Sequence, residues 1–348
     1  MPSSAVNNLA KESSLYPLYH IVNTASNFAV PAFLFLSSVV LLYRYDVGTN
    51  QNWTVFYRKR FKTIVVPYLL WSLFYSTVVL YTRHSSILDG LFRFLKGLPI
   101  GGSYSHLYFI IVIAQFYLLF PLFHLLLRIG FIRNHPLLCG AAAQTAFYLL
   151  NHYWLHMYKV GTFIGSYLLY FFLGAYAAMK LKSNERGASQ PARWMLYAEF
   201  AVSAVVYIYQ MWLQRTSPHW LLQPWLSYLN FVTNYTYSAI SCLILMQVSA
   251  FIESGRFRLV NKSLFSIGKY SFGIYLLHPF FLLVWRYKIM IGGPLVYHVL
   301  TWAGGAVALT LSWLATAIIQ KSHLGTFVVG KSDVRQLFAT QVKATKSA

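Results

Sequence analysis

The stretch "FYRKRFKTIVVPYLLWSLFY", residues 56–75, places four cations, Arg58, Lys59, Arg60 and Lys62, directly ahead of an apolar run that continues past Pro67. A soluble helix spreads its charges along one face, whereas a chain that gathers cations at a boundary and then sheds them is meeting hydrocarbon. The composition agrees. Of 348 residues 57% are hydrophobic and only 10% charged, against roughly a quarter charged in water-soluble domains. The formal charge of +21 does not mark a nucleic-acid binder, because the cations sit in short breaks between apolar runs instead of on a solvated basic face.

Crossing a hydrocarbon core of about 30 Å takes about 20 apolar residues as a helix. Nine runs approach that length: 21–43, 64–82, 106–127, 136–154, 160–179, 194–213, 225–251, 270–286 and 294–319. Lipid offers no partners to backbone N–H and C=O groups, so these runs must be helical, and the period-two alternation of a membrane barrel is absent. The expected fold is therefore all-α, a polytopic transmembrane helix bundle of about nine helices. A polar N-terminal segment over 1–20, a transmembrane domain over 21–320 and a tail over 321–348 complete the division. The loop "KLKSNERGASQPAR" at 180–193 is a candidate boundary between two groups of helices, one domain being the simpler organisation.

Alternate breaks between the runs differ in charge. One set, with residues 44–63, 128–135, 180–193, 252–269 and the tail from 320, holds 20 of the 28 Lys and Arg residues. The positive-inside rule makes that set cytoplasmic, including the C-terminus, and makes Arg58 to Lys62 a cytoplasmic anchor at a helix mouth. Nine spans then leave the N-terminus outside with no signal peptide to carry it there. An even number removes the difficulty, so a further helix is expected ahead of the first run.

Chemistry in such a chain rests on few residues. Two cysteines, Cys139 and Cys242, lie inside apolar runs and supply neither a disulfide framework nor a paired-cysteine metal site. The seven acids fall in loops or tails except Glu199, which stands close enough to a run's end to reach back to the cytoplasmic cations. A carboxylate-pair mechanism or a hard-cation site has too few acids to draw on. The sequons at Asn52, Asn234 and Asn261 fall at cytoplasmic or intramembrane positions. His152 and His156 have the i, i+4 spacing of two ligands, with no third evident, so no metal is expected.

His278, in "YSFGIYLLHPFF", sits mid-run with Tyr275 about one turn earlier and Pro279 freeing a carbonyl nearby. Spacing leaves two readings open, a structural histidine bonded to a neighbouring helix and a catalytic base. His106, in "GGSYSHLYFI", opens the third run, as an interfacial anchor or as a group facing a substrate. Arg58, Arg60 and Lys62 are either a topology signal or the site of an anionic ligand, and Pro67, Tyr68 and Trp71 favour the second by breaking and lining the helix entrance.

Several of these stretches together resemble the acyltransferase 3 family of integral-membrane O-acyltransferases. "VPAFLFLSSVVLL" is similar to the family's "vPlFfviSGfll" helix, the stretch at 56–75 to its basic "f..kRf.rI..PYl.Ws" entrance, "SHLYFIIVIAQFYLLFPLF" to "hlWfl..li..Yl..Pll", and "SIGKYSFGIYLLHPF" to "iskySfgIYLiHp". The resemblance implies ten helices with both ends cytoplasmic, and transfer of an acyl group, commonly acetyl from acetyl-CoA, to a hydroxyl of a cell-surface glycan or its lipid-linked precursor. It implies a multi-pass plasma-membrane enzyme whose partners are membrane lipid and the glycan acceptor. Arg58, Arg60 and Lys62 would then bind acyl-CoA. His278 and Tyr275 would be catalytic, with His106 and Trp71 on the substrate side.

Three positions depart from the family pattern. Its first helix carries a basic residue and, after ten intervening residues, a histidine held to be catalytic, but His20 has Leu9 at that distance and does not inherit the role. The absent pattern and the parity of the spans lead to the same expectation, a family helix missing at the N-terminus. Ser38 stands where the family has glycine, and Thr63 takes the second place of an R-x-x-R pattern that Arg60 begins, with Lys62 as a substitute. The rival readings are a transporter or flippase of a glycan or small solute, and an inactive relative.

Overall fold

The computed structural model describes residues 14–84, 86–183, 190–217, 225–253, 257–289 and 294–330, and every regular element among them is helical. Eight helices among these are long and apolar enough to cross a membrane, so the chain is an all-α, multi-pass membrane protein. The ninth run, 136–154, is also helical, as Pro136–Leu150 continued by a π-helical stretch Asn151–Leu155. It stands outside the eight because Gln144, Asn151 and His152 dilute its apolar character.

The first span begins earlier than the sequence reading places it. Helix α1, Tyr16–Ala25, starts with Pro17 in its first turn, where a missing N–H costs nothing, and buries Tyr16, Tyr19 and His20. Residues 16–20 therefore belong to a helix and not to a polar segment. A 3₁₀ turn, Ser26–Phe28, joins α1 to α2, Ala29–Arg44.

Chain contacts group the residues into two units. The first comprises Thr54–Ala114 and the described part of Ile252–Ala348. It holds α3, Trp53–Arg60 (from Thr54), a π turn Phe61–Val65, α4, Val66–Arg83, α5, Ile87–Gly97, the opening turns of α6, Tyr108–Leu126, and the long helix α12, Arg258–Lys288. The π turn has a clear cause. Pro67 cannot donate to the carbonyl of Thr63, and its ring crowds that oxygen, so the helix widens one turn earlier.

The second unit comprises the described parts of Pro2–Trp53 and Gln115–Phe251. Its elements after α6 are α7, Gly130–Asn134, α8, Pro136–Leu150, α9, Leu168–Lys182, α10, Gln190–Thr216, and α11, Trp225–Glu253. The 180–193 loop, a candidate boundary by composition, joins two helices of this one unit. Here α2 and α9 meet through small residues. A Cβ at Gly174 would come within 2.5 Å of Ser38 Cβ, and the Ser38 hydroxyl donates to Phe171 O at 2.8 Å. Ser38 departs from the family's glycine, and the facing helix supplies the glycine instead. The close approach that small residues give membrane helices is kept.

Two further helices close the first unit, α13, Pro294–Ile319, and α14, Gly325–Val329.

Candidate active site

The first unit gathers the titratable groups that its helices bury. It starts from a glycine turn. Gly101 has φ +65°, and a Cβ there would lie 2.3 Å from Tyr108 Cα, so only glycine lets the chain leave the 3₁₀ turn Leu98–Ile100 and climb onto α6. Gly102 N–H donates to Gly97 O at 2.7 Å, which ties the loop back to the end of α5. The loop so fixed presents Tyr104 and His106.

His106 sits among four rings of the same unit. Ring centres lie at 5.0 Å to Tyr75, 5.6 Å to Tyr104, 5.3 Å to Tyr275 and 5.7 Å to His278, all near edge-to-face. Both ring nitrogens of His106 are buried with no hydrogen-bond partner. Burial, and secondarily the neighbouring His278, push its pKa from 6.5 down to about 3, so the imidazole is neutral across the physiological range.

His278 lies on α12, half-buried, with Nδ1 3.1 Å from Ile274 O. A carbonyl only accepts, so Nδ1 carries the hydrogen, which leaves Nε2 as the nitrogen that can bear the lone pair. Tyr275 donates its hydroxyl to His106 O, which locks the loop to α12. Tyr75, fully buried on α4, donates to Leu276 O at 2.7 Å and stacks on Tyr104 at 4.7 Å. The structure thus brings together His106, Tyr275 and His278, which the sequence singled out, and adds Tyr75 and Tyr104. No spacing signal marks those two, because they are ordinary aromatics until the fold closes around His106.

Trp71, one turn before Tyr75 on α4, is buried, donates its indole N–H to Val328 O at 2.7 Å and packs edge-on against Phe74. Its polar atom is committed to α14, and its contact with the ring cluster is through Tyr75, 5.8 Å away. Arg58 and Lys62 are exposed, while Arg60 is half-buried with its guanidinium 5.4 Å from the Phe56 ring centre. These cations lie at or just before the π turn, on the helix that carries Tyr75, and the pair of exposed cations beside a braced guanidinium suits the phosphates of a nucleotide-bearing donor.

The second unit has a buried histidine of its own. His20 on α1 is fully buried, its Nε2 lies 3.4 Å from Thr24 Oγ1, its Nδ1 has no partner, and its ring meets Trp212 edge-on at 5.4 Å. His156 follows the π stretch of α8 with φ +44°, so the helical i, i+4 relation to His152 is not kept.

Comparison with known proteins gives a family and a set of relatives. The family model described as "Acyltransferase domain" (acyltransferase 3) matches residues 5–317, a span that takes in α1 and His20. A protein of Staphylococcus aureus (strain MSSA476), named "Probable poly-beta-1,6-N-acetyl-D-glucosamine export protein", is 28% identical over 274 residues, 73% of this chain and 69% of the relative. A protein of the same name from Staphylococcus epidermidis is 26% identical over 293 residues, 79% of this chain and 74% of the relative. No solved structure matches the chain significantly.

Proposed function

The chain belongs to the acyltransferase 3 family, and from that premise we propose that it transfers an acyl group, commonly acetyl, from acyl-CoA to a hydroxyl of a cell-surface glycan or its lipid-linked precursor at the plasma membrane. The observation that carries the proposal is the His106 and His278 pair: two imidazoles side by side, with both nitrogens of His106 unpartnered among aromatic rings. An imidazole with a free ring lone pair can take the proton of a hydroxyl held against it.

The proposal divides the labour among these residues. Arg58, Arg60 and Lys62 hold the donor's phosphates at the cytoplasmic mouth of α3. His278, its Nδ1–H fixed on Ile274 O, uses the lone pair on Nε2 to take the acceptor's hydroxyl proton. The acceptor oxygen bonds to the acyl carbon, the carbon–sulfur bond breaks, and the proton passes to the departing thiolate. His106 stands beside His278 to face the acceptor. Tyr275, expected among the catalytic residues, gives its hydroxyl to the His106 carbonyl and acts as a positioning residue. Trp71 supports Tyr75 from one turn away.

Purified protein with radiolabelled acetyl-CoA and a panel of glycan acceptors tests this directly. Release of CoA coupled to labelled glycan is the expected result, with His278→Ala lowering kcat by about a hundredfold or more and Tyr275→Phe lowering it less. Wild-type protein that releases no CoA with any acceptor would end the proposal. The names of the staphylococcal relatives favour a second reading, export of a glycan without bond making. Proteoliposomes that move a glycan with undiminished rate in His278→Ala, and consume no acyl-CoA, would select export.

A further inference from the structure

Helix α5 serves none of the roles given so far, and its three arcs differ in kind. It is 11 residues long, about 16 Å at 1.5 Å per residue, and crossing a hydrocarbon core takes about 30 Å. It stands between two spans, after α4 has ended at the left-handed His84, φ +50°, and before α6 begins. Its start does not depend on packing: Ser86 Oγ accepts from Asp89 N–H at 3.2 Å and donates to the Asp89 carboxylate at 2.8 Å. At about 100° per residue, Gly90 and Gly97 fall on one edge, and that edge packs inward. A Cβ at Gly90 would lie 2.7 Å from the Leu80 side chain of α4, and Gly97 is buried. Asp89, Arg93 and Lys96 make a second arc. Ile87, Leu88, Leu91, Phe92 and Leu95 make the third, and all five are exposed, Ile87 and Leu88 at 79% and 78%.

A helix half-sunk in the membrane plane has this arrangement: one edge on the protein, the charged arc up to water, the apolar arc down and outward in hydrocarbon. Lys96 marks the waterline, its ammonium folded over the Phe92 ring at 4.1 Å. Tyr81, near the end of α4, adds an exposed aromatic of the kind that sits at headgroup level. Charge is the second observation. Of the eight Lys and Arg outside the cation-rich breaks, five belong to this end of the first unit: Arg83, Arg93, Lys96, Arg286 and Lys288. The charge of Arg286 acts on Tyr104, which puts the end of α12 beside the same loop. Among the described residues here the one acid is Asp89, and its carboxylate is engaged by Ser86. The positive-inside bias depletes this side of cations, so five of them gathered round an amphipathic helix point to an anionic surface.

We propose that α5 is an in-plane anchor in the leaflet opposite Arg58 and Lys62, that Arg83, Arg93 and Lys96 hold anionic phospholipid headgroups there, and that this contact steadies the loop presenting His106. The link to the loop is short. A Cβ on Gly97, the last residue of α5, would lie 3.1 Å from Gly102 C and Ser103 N, and Gly102 N–H donates to Gly97 O at 2.7 Å. Tyr68 donates its hydroxyl to Leu98 O at 2.5 Å, which ties the next residue to α4. Tyr104 and His106 follow directly, so an α5 that shifts in the interface takes the loop with it. The effect on transfer rests on the acyltransferase reading; the seating of α5 and its lipid preference do not.

The full chain with its free cysteines, Cys139 and Cys242, replaced takes a nitroxide at Leu91→Cys, Leu95→Cys or Arg93→Cys in phosphatidylcholine nanodiscs. Labels at positions 91 and 95 should be relaxed by oxygen and shielded from a water-soluble nickel chelate, and the label at 93 the reverse. All three open to the chelate, or 91 and 95 closed to both agents as in a contact with a second copy or another protein, would overturn the anchor. Headgroup preference is read by titrating the detergent-solubilised chain with fluorescent phosphatidylglycerol and phosphatidylcholine. One cation near an anionic surface is worth about fivefold in affinity, so joint Arg93→Gln and Lys96→Gln should weaken phosphatidylglycerol binding about tenfold or more. Equal affinity of the wild type for the two lipids, or a double variant that binds phosphatidylglycerol as the wild type does, would overturn the headgroup site. Adding phosphatidylglycerol to the nanodiscs should also raise acyl transfer several-fold in the wild type and not in the double variant. A wild-type rate indifferent to it, or a variant slowed alike in both lipids, would overturn the coupling to His106. If the wild type transfers no acyl group in either lipid, the acyltransferase reading fails, and the labels and the titration still decide the anchor.

Discussion

At the scale of the residue, the property that sets His106 apart is a buried imidazole with nothing to hydrogen-bond. Its pKa, held at about 3 by burial and by His278, lies below the 6.5 of an exposed histidine. Between those two values the unfolded chain binds a proton that the folded chain does not, so stability is full above about pH 6.5 and falls as the pH drops toward 3. His106→Gln removes that proton. The melting temperature of the detergent-solubilised variant should therefore decline less from pH 7.5 to pH 5 than that of the wild type, by scanning fluorimetry, and an unchanged decline would show that His106 titrates normally. His20, with its own unpartnered Nδ1, is the rival base. Loss of transfer confined to His20→Gln, with His278→Ala still active, would move the chemistry to α1. The sequence could nominate His106 and His278 singly through their motifs. It could not pair them, because residues so distant along the chain meet only when the Gly101 turn and the Tyr275 hydroxyl set the loop against α12.

At the scale of the element, two contacts carry testable consequences. Between α2 and α9, a side chain at Gly174 has no room, since its Cβ would press on Ser38 and on Phe35 O, 2.8 Å away. Gly174→Val should destabilise the protein by about 1–3 kcal/mol, the usual cost of overpacking. Ser38→Ala, which deletes one interhelical hydrogen bond, should cost about 0.6–1.7 kcal/mol. Thermal or steric-trap unfolding ranks the two, and the reverse order would contradict a contact governed by volume. In the first unit the π turn Phe61–Val65 offsets the cationic face of α3 from the helix that follows. Pro67→Ala lets the turn relax to ordinary α-helix, which rotates Arg58 and Arg60 by about 100° relative to Tyr75. The KM for acyl-CoA should rise several-fold while kcat at saturation holds, and a change in kcat alone would argue that the cations do not meet the donor. Apolar runs made the helices legible because lipid forces each run to be helical. The π turn was not legible, since sequence periodicity assumes one helical repeat, and the start of α1 was missed because Tyr16, Tyr19 and His20 read as polar until buried.

At the scale of the whole molecule, the donor's route depends on which side of the membrane each break occupies, and the distribution of Lys and Arg is the physical argument for one orientation. The loop that carries Asn50 lies in the cation-rich set, whereas Tyr158, past the end of α8, lies in the poor set and is 95% exposed. Replacing Cys139 and Cys242, the two free cysteines, gives a background for single-cysteine labelling, although Cys242 is buried and its replacement should keep its small volume. In that background Tyr158→Cys should react with a membrane-impermeant maleimide in intact cells, and Asn50→Cys only after permeabilisation. Acyl-CoA is a charged cytosolic thioester that does not cross a bilayer unaided, so the donor site proposed at Arg58, Arg60 and Lys62 requires that their side be cytoplasmic. Labelling of Asn50→Cys from outside would place those cations away from the donor. The same result would leave the His106 and His278 pair without its acyl source, whatever the activity of either histidine variant.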